Sequence, residues 1–135
     1  MKITVERLVR KPLPVVWAAY TTPADIIAWN AASDDWHTTA STVDLRVGGE
    51  FSSRMEAKDG SFGFDFTGTY SEVETGRRLA YDMGDRVAEI DFLPEDGGVL
   101  VRVTFDAETE NPAEMQREGW QAILDSFTRH TEAKT

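Results

Sequence analysis

His37 is the chain's most chemically suggestive side chain. It follows Trp36 and comes just after Asp34 and Asp35. An imidazole beside carboxylates can orient a ligand, act as a general base or bind a metal. The metal reading is weak, because zinc-type sites need three or four convergent ligands and two adjacent aspartates rarely aim at one ion. A solvated polar loop is the plainer reading. His130, the other histidine, lies late in a helical pattern and is expected to be exposed. Glu89 and Asp91 form a second candidate pair. Two carboxylates can divide acid and base roles when their surroundings separate their pKa values. Here they alternate with Ala88, Ile90 and Phe92, so they are expected to face water. Arg102 on the next strand can pair with them there, a contact worth ~0–1 kcal/mol.

Other chemistries lack their residues. There is no cysteine, which excludes disulfides, thiolate metal sites and a cysteine nucleophile. No Gly-x-Ser-x-Gly motif occurs, and nothing assembles a triad. Gly48-Gly49 lacks the Lys-Ser/Thr partner and following helix of a phosphate loop. It reads as a turn or bulge that bends a sheet. No cofactor and no metal are expected.

Charge narrows the partners. The 135 residues carry 14 basic and 24 acidic side chains, a net charge of −10. Phosphate backbones and anionic membrane surfaces would repel such a body, so neither is expected to bind. No apolar run approaches the ~18 residues of a membrane span. The N-terminus starts a strand pattern and lacks a signal peptide's apolar block. A cytoplasmic protein with one domain over residues 1–135 is the expectation.

The elements that would position these groups follow from periodicity. Residues 2–10 alternate as a half-buried strand with a late irregularity at Leu8-Val9. Val16, Trp17 and Tyr20 fall at helical spacing. Thr22-Pro23 then caps a second short helix over roughly 23–30, carrying Ile26, Ile27 and Trp29. Residues 31–41 show no period and read as a loop holding one large ring, Trp36. From Val43 to Phe105 the period is near 2. Val43, Leu45 and Val47 alternate, and Phe51, Ser53 and Met55 share a face. Phe62, Phe64, Phe66, Gly68 and Tyr70 alternate next, then Leu79, Tyr81 and Met83. Ala88, Ile90 and Phe92 precede Val99 to Phe105, with Gly-containing turns between the runs. Asn111-Pro112-Ala113-Glu114 reads as a capped helix start. Trp120, Ile123, Leu124 and Phe127 then form an i, i+3, i+4, i+7 stripe, with Arg117, Gln121, Asp125 and Thr128 off it. This helix runs to about residue 131 and spans ~30 Å.

One antiparallel sheet has one apolar face to cover, and the last helix has one stripe to bury. Packing one on the other, with the short helices plugging the remaining gap, gives an α+β fold. The order is strand, two short helices, six strands, long helix.

The residues resemble a known family. The matching pieces are Val16 through Pro23, Trp29, Leu45 through Phe51, Gly68-Thr69-Tyr70, Leu79-Ala80-Tyr81, Gly119-Trp120 and Ile123-Leu124. In this order and spacing they resemble the SRPBCC superfamily of START-like, Bet v-like proteins. Within it they resemble the branch related to the activator of Hsp-90 ATPase, called AHA-type. The resemblance implies a helix-grip fold, with a curved sheet of about seven strands wrapped around a long C-terminal helix. It also implies a cavity between helix and sheet, often apolar and open at one end.

Candidate lining residues are Trp29, Trp36 and His37 near the mouth, and Met55, Phe64, Tyr81, Met83 and Ile90 from the sheet. Trp120, Leu124 and Phe127 would come from the helix. Area burial would bind an apolar or lipid-like small molecule there, with a few polar groups fixing its orientation. Plain core packing is the competing role for each of these rings. The resemblance equally implies a co-chaperone-like interaction module whose acidic surface meets a chaperone. A third reading, an enzyme for a small apolar substrate, requires His37, Tyr70 or Tyr81 to reach the cavity. Gly119 suggests close approach of helix to sheet. If Trp120 is the central anchor, Trp120→Ala costs ~3–5 kcal/mol. A monomer or a homodimer through sheet edges is compatible with all three.

Overall fold

The computed structural model describes all 135 residues. Strand β1 (Lys2–Val9) is followed by helices α1 (Leu13–Thr21) and α2 (Pro23–Trp29). Six strands come next: β2 (Trp36–Val43), β3 (Glu50–Ala57), β4 (Gly63–Glu74), β5 (Arg78–Met83), β6 (Arg86–Glu95) and β7 (Gly98–Asp106). Helix α3 (Ala113–Glu132) closes the chain. The strands form one antiparallel sheet in the order β1-β7-β6-β5-β4-β3-β2. This is the helix-grip arrangement.

Alternation sets the inner face. Val99, Val101, Val103 and Phe105 are buried along β7, and Ala88, Ile90 and Phe92 along β6. Thr22 serves both short helices. Its N–H donates to the Ala18 carbonyl at the end of α1, and its own carbonyl accepts from Asp25 and Ile26 at the start of α2. Both have proline in the first turn, where a missing N–H costs nothing.

Helix α3 runs along β1 and is stapled to it. Arg117 Nη1 donates to the Thr4 carbonyl (2.8 Å), Arg7 pairs with Asp125 (2.7 Å), and the Arg10 N–H donates to Glu132 (2.8 Å). These contacts engage the open edge of β1, which would otherwise present unpaired backbone groups.

The two halves of α3 differ. Phe127, Thr128 and Thr131 in its C-terminal half are fully buried, and Leu124 nearly so. Trp120 and Ile123, one turn earlier, are half-buried. Thr128, placed off the stripe by spacing, lies inside because its hydroxyl donates back to the Leu124 carbonyl (2.9 Å) and so needs no water.

Several expectations are corrected. Residues 36–41, read as part of a loop, belong to strand β2, although their side chains are mostly polar. A bulge between Thr38 and Ala40 breaks the period there. The Val43, Leu45, Val47 alternation does not continue a strand, since residues 44–49 turn and Val47 is exposed. Pairing of β1 with β7 runs unbroken, so Leu8-Val9 holds no bulge. Pro112, not Asn111, occupies the cap position of α3. Asn111 instead hydrogen-bonds Glu108 through its N–H and its amide. Gly119 marks no close approach, because a Cβ there would meet open space. The Gly48-Gly49 turn is confirmed: Gly48 has φ +85°, and a Cβ on Gly49 would lie 2.1 Å from the Asp44 carbonyl.

Candidate functional site

Between α3 and strands β3 to β5, the helix and the sheet do not meet. The gap encloses about 380 Å³. Its floor is the inner face of β3, β4 and β5, where Phe51, Met55, Phe66, Tyr70 and Tyr81 stand. Its roof is Trp120, Ile123, Leu124 and Phe127 of α3. Tyr20 of α1 and Trp29 of α2 close the inner end, so Trp29 is buried there and not at the mouth where spacing placed it.

The walls are held by ring contacts. Trp29 is 6% exposed and donates from its indole N–H to the Ala19 carbonyl (2.9 Å). Its ring meets Tyr20 and Phe127 at 5.2 and 5.1 Å. Trp120 stacks on Phe105 at 4.1 Å with the planes 11° apart. It therefore presents one ring face to β7 while its surface also lines the cavity.

Phe51 lies over Gly68, where a Cβ would be 2.5 Å from its ring. That missing side chain lets Phe51 contact Tyr81 at 4.7 Å and Tyr70 at 5.3 Å.

Polar groups fall in two sets. Gln116 is spent on structure: its side chain accepts from the Glu108 N–H and donates to the Glu108 and Asn111 carbonyls. It pins the loop that leads into α3. Glu108 and Asn111, held by Gln116, also reach the wall, and Arg86, Asn30, Ser53 and all three tyrosines of the chain form the second set there. Burial pushes the Tyr70 phenol up to about 12 and the Tyr20 and Tyr81 phenols well above the ordinary value. At neutral pH all three are un-ionised hydroxyls able to donate a hydrogen bond.

The cavity brings together Trp29, Met55, Phe64, Tyr81, Trp120, Leu124 and Phe127 from the sequence candidates. Four others stand apart. Ile90 is sealed in the core, and Met83 packs against it from the end of β5. His37 is exposed, on the β2 parity opposite buried Thr38. Trp36 contacts Phe62 and Phe64 at 6.1 and 6.0 Å. These rings form an open patch, with Phe62 62% and Phe64 41% exposed. Because Phe64 also lines the cavity, the patch is continuous with its rim.

Tyr70, weighed only as a catalytic group, lines the wall, and spacing overlooked Tyr20, Phe51, Phe66 and Arg86. The parity signal was present for Arg86, which precedes Ala88, Ile90 and Phe92 by one alternation.

The outer face carries no comparable site. Glu89 and Asp91 do face outward, but their partner is Arg78, which also holds Glu72 (3.1 Å) and lies 2.7 Å from Asp91. Arg102 pairs instead with Glu6 at 2.8 Å. His130 is half-buried rather than exposed, because Asp25 of α2 binds its Nε2 at 2.8 Å.

Comparison with known proteins agrees with this geometry. The AHSA1-like protein from Aeromonas hydrophila, solved in solution, is 51% identical, with 98% of this chain and 93% of that chain covered and a TM-score of 0.93. Chr148 from Cytophaga hutchinsonii is 44% identical over 97% of this chain and 92% of that one, with a TM-score of 0.84. CV1439 from Chromobacterium violaceum shares the fold at 23% identity, with 99% of each chain covered and a TM-score of 0.85. No curated protein matches. The family model described as activator of Hsp90 ATPase homolog 1-like protein matches residues 10–132. With nearly its whole length matched, the chain belongs to that family.

Proposed function

We propose that the protein binds an apolar or amphipathic small molecule in the cavity under α3. The observation that carries this is the unfilled space of about 380 Å³ walled by aromatic and aliphatic side chains. Pockets that hold drug-sized ligands measure roughly 300–1,000 Å³. A folded chain does not leave such apolar surface unfilled without cost, and a ligand that covers it recovers the burial energy. The polar groups on the wall support binding over chemistry. Tyr70 and Tyr81 do reach the cavity, as an enzyme reading requires, but as neutral phenols they orient a ligand as donors, and His37, the candidate base, lies away from it.

The test is titration with the uncharged fluorophore N-phenyl-1-naphthylamine, read by fluorescence and thermal shift. Micromolar binding that Leu124→Trp abolishes, with the fold retained by circular dichroism, is the expected result. No binding, or binding indifferent to Leu124→Trp, would overturn the reading.

A co-chaperone-like role is the second reading. The family description favours it, and so does the patch of exposed Phe62 and Phe64 against half-buried Trp36. A pull-down against an Hsp90-type chaperone at low and high salt decides it. Loss of capture in Phe62→Ser would support the patch as the contact.

A further inference from the structure

Arg86 is the one basic side chain on the cavity wall. It sits on the inner face of β6, one alternation before Ala88 and Ile90. An inward-facing guanidinium opposite aromatic rings calls for a counter-charge, because desolvating an unpaired cation is costly. The one carboxylate on the same wall, Glu108, forms no ion pair with it. Arg86 forms no ion pair and makes a single long hydrogen bond, from Nη1 to the Asp106 carbonyl (3.3 Å). The neighbouring carboxylates are engaged elsewhere. Asp106 binds Lys2 (2.8 Å) and the Val87 N–H (2.9 Å). Glu108 takes the Asn111 N–H (2.7 Å) and amide (3.3 Å). Arg78 and Arg102, by contrast, are fully paired on the outer face.

We infer that the cavity selects an amphipathic anion, whose apolar body lies among Trp120, Phe51 and Phe66 and whose single carboxylate, sulfonate or phenolate lies on Arg86. This rests on the cavity reading above and names its ligand class. The Tyr81 phenol, near enough to feel the Arg86 charge, supplies a second donor to the same head group. The net charge of −10 does not oppose this. At physiological salt, charges beyond ~8 Å are largely screened, while the contact at Arg86 is direct.

The test compares two probes of one shape. 8-Anilinonaphthalene-1-sulfonate carries an anionic head, and N-phenyl-1-naphthylamine is its uncharged counterpart. Arg86→Gln is expected to weaken the sulfonate by about 10-fold and to leave the neutral probe within about 2-fold. Arg86→Lys should restore part of the lost affinity, since it keeps the charge without the fork. Circular dichroism and melting temperature verify that each variant is folded. If Arg86→Gln weakens both probes equally, or neither, the anion assignment falls while the cavity stands. If the wild-type protein binds neither probe, the cavity reading falls and takes this inference with it.

Discussion

Phe127 and Trp120 lie two turns apart on α3, yet they do different work. Phe127 also borders the cavity, but it has no exposed surface and is packed between Tyr20 and Trp29, each at 5.1 Å. Trp120 has one face on Phe105 and is part of the cavity wall. Phe127→Ala should therefore cost ~3–5 kcal/mol, as for a filled core site. Trp120→Ala should cost about 2 kcal/mol or less, because part of its ring is already uncovered. Urea denaturation midpoints at constant slope measure both. Equal costs would mean that α3 packs tightly over its whole length. Spacing made both residues legible as an inward stripe. It did not separate them, because a helical period says which face turns inward and nothing about what lies opposite. Trp36 shows the same limit from the other side. Its ring signalled an unusual position, but its neighbours Phe62 and Phe64 come from a strand hairpin that only the fold brings near.

At the scale of elements, α2 and α3 are joined by a charged clasp. The Asp25 Oδ1 lies 2.8 Å from both His130 Nε2 and Lys134 Nζ. Burial alone would push the Asp25 carboxyl up. Hydrogen bonds from Lys134 and His130 outweigh it and leave the group below the ordinary carboxylate value. A carboxyl whose folded pKa is depressed adds stability above its unfolded value near 4. That contribution is lost as pH falls through the lower, folded value. Asp25→Asn is expected to cost about 1–2 kcal/mol at pH 7. The gap from wild type should close as melts are repeated below pH 4. A constant gap from pH 7 to 3 would mean that the clasp contributes through shape, not charge. No sequence pattern announced the clasp, because its partners sit 105 residues apart. The strands were easier to see where they alternate. β2 escaped because Thr, Ala and Ser mask its inner face and its bulge breaks the period. The helix start at residue 113 was placed within a residue, but its asparagine served the loop instead of the cap.

At the scale of the whole molecule, a curved sheet meets a straight helix. A helix stapled along β1 leaves the inner face of β3 to β5 uncovered on its far side. The resulting space is a property of the assembly. Its volume follows from the curl of the sheet and the seat of α3, neither of which periodicity measures. All three tyrosines line that space, so they report on its state. Free phenols ionise near pH 10. In the folded protein burial pushes the Tyr70 phenol up to about 12 and the Tyr20 and Tyr81 phenols well above the ordinary value. The unfolded chain releases these protons first, so stability falls as pH rises above about 10. Absorbance at 295 nm should therefore stay flat through pH 10. It should then rise in one cooperative step that coincides with loss of circular dichroism. A gradual rise centred on pH 10 with the fold intact would mean that water already fills the cavity. A ligand seated there binds only the folded state, and at 100 times its Kd adds about 2.7 kcal/mol. It should move the step to higher pH. A ligand bound on the outer rim at Trp36 would cover none of the phenols, though it too would stabilise the fold. The two sites separate through Leu124→Trp, which fills the cavity: it abolishes the shift given by a cavity ligand and leaves that of a rim ligand.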